Sequence, residues 1–223
     1  MNFDPILLLA MWAAGLAAAT AAVAWWRVAR VGFLWLSAGV IVLVGGAAAF
    51  RDPVAVVALA AVAVAAVTAS RPRVAAVAFA GAAASFLAVT AARDALLPGM
   101  AGALAMGGIT GEMMLGHWYL VDPRLPRWAL RRLDGAGVVG VVAEIAVAAS
   151  NGSLRPPTDV VGLAYLMLAA TTIGLAVMVW FSLGEEGYEG VMAATGLSYL
   201  ATLTVFGTVF LARAPLERLF GIT

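Results

Sequence analysis

The feature that most constrains this chain is a succession of apolar runs, several at or near the ~20 residues that cross a bilayer, divided by short charged breaks. Hydrophobic residues make up 64% of the 223 and charged ones 11%, against roughly 25% charged in soluble domains. A water-soluble body of this size needs more polar cover than that, because its surface-to-volume ratio demands it. The sequence therefore predicts an all-α, polytopic integral membrane protein, a single transmembrane domain over 1–223. Its helical bundle should contain eight spans, at about 6–26, 31–50, 54–70, 74–92, 99–121, 136–151, 159–183 and 190–212.

The breaks carry the punctuation. They read RVAR, RDP, SRPR, RDALLP, DPRLPRWALRRLDG, NGSLRPPT and GEEGYE, and the nine prolines lie almost entirely in or beside them. Proline in such places ends or starts helices, and none interrupts a span. The N-terminal run differs from a signal peptide. Its only early charge is Asp4, and its arginines (Arg27, Arg30) follow a long apolar stretch, which describes a first membrane helix.

All thirteen basic side chains are arginine. After odd-numbered spans fall Arg27, Arg30, Arg71, Arg73, Arg124, Arg127, Arg131 and Arg132; the other side has Arg51, Arg93, Arg155, Arg213 and Arg218. The excess of arginine on cytoplasmic loops then predicts a multi-pass protein of the cell's inner (plasma) membrane with both termini outside. A faint repeat links 30–52 with 73–94, each an Arg-Val start, an apolar helix and an Arg-Asp end. No matching repeat is visible in 99–223, so internal symmetry of the inverted-repeat transporter kind is not expected.

Absences narrow the chemistry. Without cysteine there is no disulfide and no thiolate metal site. One histidine cannot build an ordinary zinc or copper site. The familiar nucleophile-elbow, zinc-protease and phosphate-loop motifs do not occur. A net charge of +1 with no basic tail gives no reason to expect a nucleic-acid partner.

Attention falls on GEMMLGHWYLVDPRLPRWALRRL, residues 111–133. Ionisable groups inside a bilayer are costly and so become candidates for function. Glu112, His117 and Glu144 are the three expected inside spans, and they form the predicted catalytic set. Counting from the expected span ends puts Glu112 about 13 Å and Glu144 about 12 Å from one face. Carboxylates at matched depth on consecutive helices can share a proton. Glu112 and His117 point about 140° apart on their helix. His117 stands over Met113 and Met114 and is followed by Trp118 and Tyr119. These five residues are the expected cofactor-binding group, at the level where aromatic belts also occur.

Two further features belong to packing and to the membrane surface. Gly107 and Gly111 form a small-xxx-small pair suited to close helix contact in lipid; a glycine face can alternatively lie against a planar cofactor. Arg124, Arg127, Arg131 and Arg132 are expected on a short interfacial helix near 124–132, binding anionic lipid.

Three function classes follow. The first is a subunit of a redox-linked electron and proton transfer system. It would hold a quinone, or a b-type haem on His117 completed by a methionine or a second subunit's histidine, at the inner half of spans five and six. The second is a small proton- or cation-coupled transporter or channel. The third is a structural or assembly component of a membrane complex. Expected partners are membrane lipids and other membrane subunits or further copies of the chain.

Overall fold

The apolar runs fold as helices, and the proline-bearing breaks start them. The computed structural model describes residues 5–92, 96–152, 154, 156 and 159–213; among these there are eight α-helices and no strand. They are α1 (Pro5–Trp26), α2 (Val31–Ala49), α3 (Pro53–Val67), α4 (Pro72–Ala91), α5 (Leu96–Trp118), α6 (Arg127–Ser150), α7 (Val160–Ser182) and α8 (Tyr188–Leu211). Pro5, Pro53 and Pro72 each occupy a first helical position, where the missing N–H costs nothing. Asp52 and Asp159 cap α3 and α7 by accepting from the N–H groups of Val54 and Val161, at 2.9 and 3.3 Å.

Six helices (α1, α2, α4, α6, α7 and α8) are long and apolar enough to cross a membrane. α3 is apolar but has only 15 residues, about 22 Å of helix. α5 has 23 residues, diluted by glycines and by Glu112 and His117. Large apolar side chains cover the outside, among them Leu43, Val67, Val160 and Leu203. In water such a surface would aggregate; in a bilayer it is the expected one.

The break expected as a separate interfacial helix is not separate. Residues 127–135 are the opening turns of α6, which runs unbroken to Ser150. Its buried face reads Leu130, Leu133, Asp134, Gly137, Val141, Glu144 and Ala148, a helical stripe that continues straight through the arginines.

Helix neighbours fall into two closed rings. α1 packs on α2, α2 on α3, α3 on α4 and α4 back on α1; α5 packs on α6, α6 on α7, α7 on α8 and α8 back on α5. The rings meet chiefly where α1 lies against α5. There Gly107 rests on the backbone of Gly15, and a Cβ added to Gly111 would come 2.7 Å from that of Ala19. Both pairs are 92 residues apart and advance in the same direction, so α1 and α5 run parallel. The small-xxx-small pair of α5 thus serves close backbone contact.

Candidate functional site

Buried ionisable groups among the described residues cluster in the α5–α8 ring. Gly108 packs on Gly137 and Ala105 on Gly140, an antiparallel register that fixes which residues of α5 and α6 stand level. Glu112 is level with Leu133 and Asp134. A Cβ at Gly102 would lie 3.0 Å from Glu144 Oε1, so Glu144 is level with the other end of α5.

The expected matched depth of Glu112 and Glu144 is therefore overturned. α6 begins at Arg127, not near 136, and Glu144 sits close to its far end. Ten residues of α5, about 15 Å, separate the two levels. The acid that does stand level with Glu112 is Asp134, which is buried and near enough to act on it electrostatically.

Glu112 is 1% exposed. One carboxyl oxygen, Oε2, accepts a hydrogen bond from the Ser198 hydroxyl of α8, while Oε1 is buried with no partner. Ser198 also contacts the carbonyl of Ala194 at 2.8 Å. A hydroxyl has one proton to give, so only one of the two contacts can use it. Around this level the ring is tight: Gly116 touches Thr195, and Leu115, Leu130 and Leu133 are buried.

At the opposite end, Arg213 grips Glu144. Its Nη1 donates to Oε2 at 3.0 Å and its Nη2 to Oε1 at 2.7 Å, and the same nitrogens reach the carbonyls of Val209 at 3.0 Å and Pro98 at 2.5 Å. The side chains are 8% and 3% exposed. A forked, buried pair of this kind satisfies both charges with fixed geometry. Between the two levels lie Met106, Ile109, Val141, Ala201 and Val205, all apolar and buried.

The remaining predicted site residues disperse. His117 is exposed, and its Nδ1 lies 3.2 Å from the hydroxyl of Tyr199 on α8. Met113 accepts from Thr202 at 3.5 Å. Met114 packs against the larger buried apolar cluster, which joins α1–α4 to the arginine-rich end of the other helices. Trp118 stacks edge-on with Phe33 of α2, and Tyr119 is buried beside Tyr188. The arginines divide as well. Arg127 donates to the carbonyls of Glu185 and Gly187, tying α6 to the α7–α8 turn. Arg131 lies over Trp180 at 5.2 Å and reaches its carbonyl, complementing the carbonyl end of α7. Arg132 stacks on Trp26 and Trp128, and Arg124 is exposed.

Sequence reasoning missed Asp134, Ser198 and Arg213. The stripe through Leu130 and Leu133 was the available signal for Asp134. The chain matches no protein-family model, no curated protein and no solved structure.

Proposed function

We propose that the protein is an integral membrane carrier that binds and releases a proton at Glu112 as part of its transport cycle. The observation that supports this reading is a fully buried carboxyl with one unpaired oxygen, level with a second buried acid on the neighbouring helix. Two acids in one low-dielectric pocket cannot both be ionised cheaply, so a proton is the natural occupant. In this reading Ser198 orients the carboxyl, Asp134 passes the proton towards the arginine-rich face, and the Arg213–Glu144 pair closes the opposite end. Positive-inside bias makes that arginine-rich face cytoplasmic, with both termini outside. Arg213 is spent on Glu144 rather than on a loop, which strengthens the asymmetry.

The test is dye-reported proton uptake into vesicles under an imposed gradient, with orientation read from impermeant thiol labelling of Arg71→Cys and Asp52→Cys. Glu112→Gln keeps shape and hydrogen bonding but cannot titrate. It should abolish protein-dependent flux and remove a titrating carboxyl band from the infrared spectrum, with folding intact. Wild-type flux in that variant would end the proposal.

A redox-linked role rests on a different observation, the exposed His117–Tyr199 pair on the bundle's outer surface. Such a pair offers a hydrogen bond to a quinone head arriving from lipid, or one axial ligand for a haem shared with a second subunit. A Soret band, or a quinone in an organic extract of the purified protein, would favour it over the carrier.

A further inference from the structure

The two sides of the α1–α5 contact are filled differently. On one side Trp12 of α1 meets Phe206 of α8, ring centroids 4.3 Å apart and edge-on, with the indole N–H donating to Thr110 at 3.2 Å. In the register set by the Gly15–Gly107 contact, Trp12 of α1 stands level with Leu104 of α5. On that opposite side, Leu104 lines an open groove of about 580 Å³ between α1, α4, α5 and α6, bounded also by Ala18, Ala22, Leu87, Met100 and Ala143. Where one side has two aromatic rings, the other has short aliphatic side chains and empty space. The volume lies in the range of pockets that hold a small organic ligand.

The groove is long rather than round. On α6 it extends from Arg132 to Val147, fifteen residues or about 22 Å of helix. Its walls are apolar until the last turn at the arginine-rich face, where Trp26 and Arg132 close it. The Arg132 guanidinium is held 4.7 Å from the Trp128 ring and 5.7 Å from Trp26, and those two rings are themselves 5.3 Å apart. Stacking fixes a guanidinium in place while leaving its N–H edge free for an anion. No carboxylate among the described residues lies within ion-pair distance of it.

We propose that this groove binds one anionic phospholipid, its acyl chain laid between the two rings and its phosphate on Arg132. The arrangement matches the amphiphile: a narrow hydrocarbon slot ending, at the level of two tryptophans, in one oriented cation. Arg127 and Arg131 face the α7–α8 turn and the end of α7 instead, so a single arginine of the cluster carries the head group. The site is separate from Glu112 and does not depend on the carrier reading.

Native mass spectrometry of the full chain, purified from vesicles of phosphatidylglycerol and phosphatidylcholine in equal parts, tests this. Wild type should retain one phosphatidylglycerol in preference to phosphatidylcholine. Arg132→Gln should lower that preference about tenfold, while Arg124→Gln, on the same face but off the groove, should not. Ala18→Phe, which fills the slot from its exposed edge, should expel either lipid from a protein that still unfolds cooperatively. Equal retention by wild type, Arg132→Gln and Ala18→Phe overturns the proposal. So does a dimer in wild type that Ala18→Phe dissociates, since a second copy would then be the occupant. Displacement of the bound lipid by millimolar inorganic phosphate alone would also overturn it, by showing that the slot contributes nothing.

Discussion

The two four-helix rings share a plan and differ in what they bury. The α1–α4 ring is an alanine-rich interior whose buried polar groups among the described residues are Thr20, Ser37 and Thr90. The Thr20 hydroxyl is satisfied by its own helix, donating to the carbonyl of Leu16 at 2.7 Å. The α5–α8 ring buries Glu112, Asp134 and Glu144, with Arg213 beside the last. One ring is thus a packed support and the other holds charge against the bilayer's preference. Buried charge is costly in a membrane, and among the described residues it is concentrated in the α5–α8 ring.

The largest expected effect tests that contrast directly. Arg213→Gln leaves Glu144 buried without its cation, which should cost about 3–5 kcal/mol in reversible unfolding from mixed micelles. Replacing both members, Glu144→Gln with Arg213→Met, should recover most of the loss, because the penalty belongs to the orphaned charge. In the first ring Thr20→Val removes only a local hydroxyl bond and should cost less than about 1 kcal/mol. Equal losses from Arg213→Gln and Thr20→Val would erase the distinction between the rings.

A middle-sized effect tests where the rings meet. A Cβ at Gly107 would overlap the backbone of Gly15, whereas Gly46 and Gly81 have open space around the same position. Gly107→Ala should therefore destabilise by about 1–3 kcal/mol through overpacking. Gly81→Ala should be neutral or slightly stabilising, since alanine is the better helix former. A neutral Gly107→Ala would mean that α1 and α5 do not touch along this line.

These two pairs of variants also mark how far the sequence could be read. Helix limits other than the start of α6 were legible because charge and proline end apolar runs, and Gly107 and Gly111 announced a close-packing face. Their partners, Gly15 and Ala19, were not legible, because alanine and glycine are everywhere in this chain and nothing local selects a pair 92 residues away. Asp134 was lost to charge density: with Arg127, Arg131 and Arg132 nearby, the segment read as a break, although its apolar stripe continued. Glu144 was identified as buried but assigned to the wrong depth, since moving the start of α6 by nine residues moves the acid from one face towards the other. Arg213 looked like a terminal loop charge and is a buried partner instead. Glu112 was legible as an acid inside an apolar helix, while its contact with Ser198 needed the tertiary fold.

The smallest effect concerns the end of α1, where the support ring hands the chain to α2. Arg27 has φ of 56°, the left-handed region that suits glycine and costs an L-residue about 1–2 kcal/mol. The hydrogen bonds explain why it is held there. The N–H of Arg27 donates to the carbonyl of Ala24 at 3.1 Å, and that of Val28 to Val23 at 3.4 Å, the paired closure that ends a helix at a left-handed residue. The side chain is exposed, so removing it breaks no packing. Arg27→Gly should relieve the strain and, after the extra freedom glycine gains in the unfolded chain, stabilise the protein by about 0.5–1 kcal/mol. Arg27→Ala should show no such gain, because alanine keeps the Cβ that causes the strain. Should both variants shift stability alike, the effect would belong to the lost positive charge and not to the backbone.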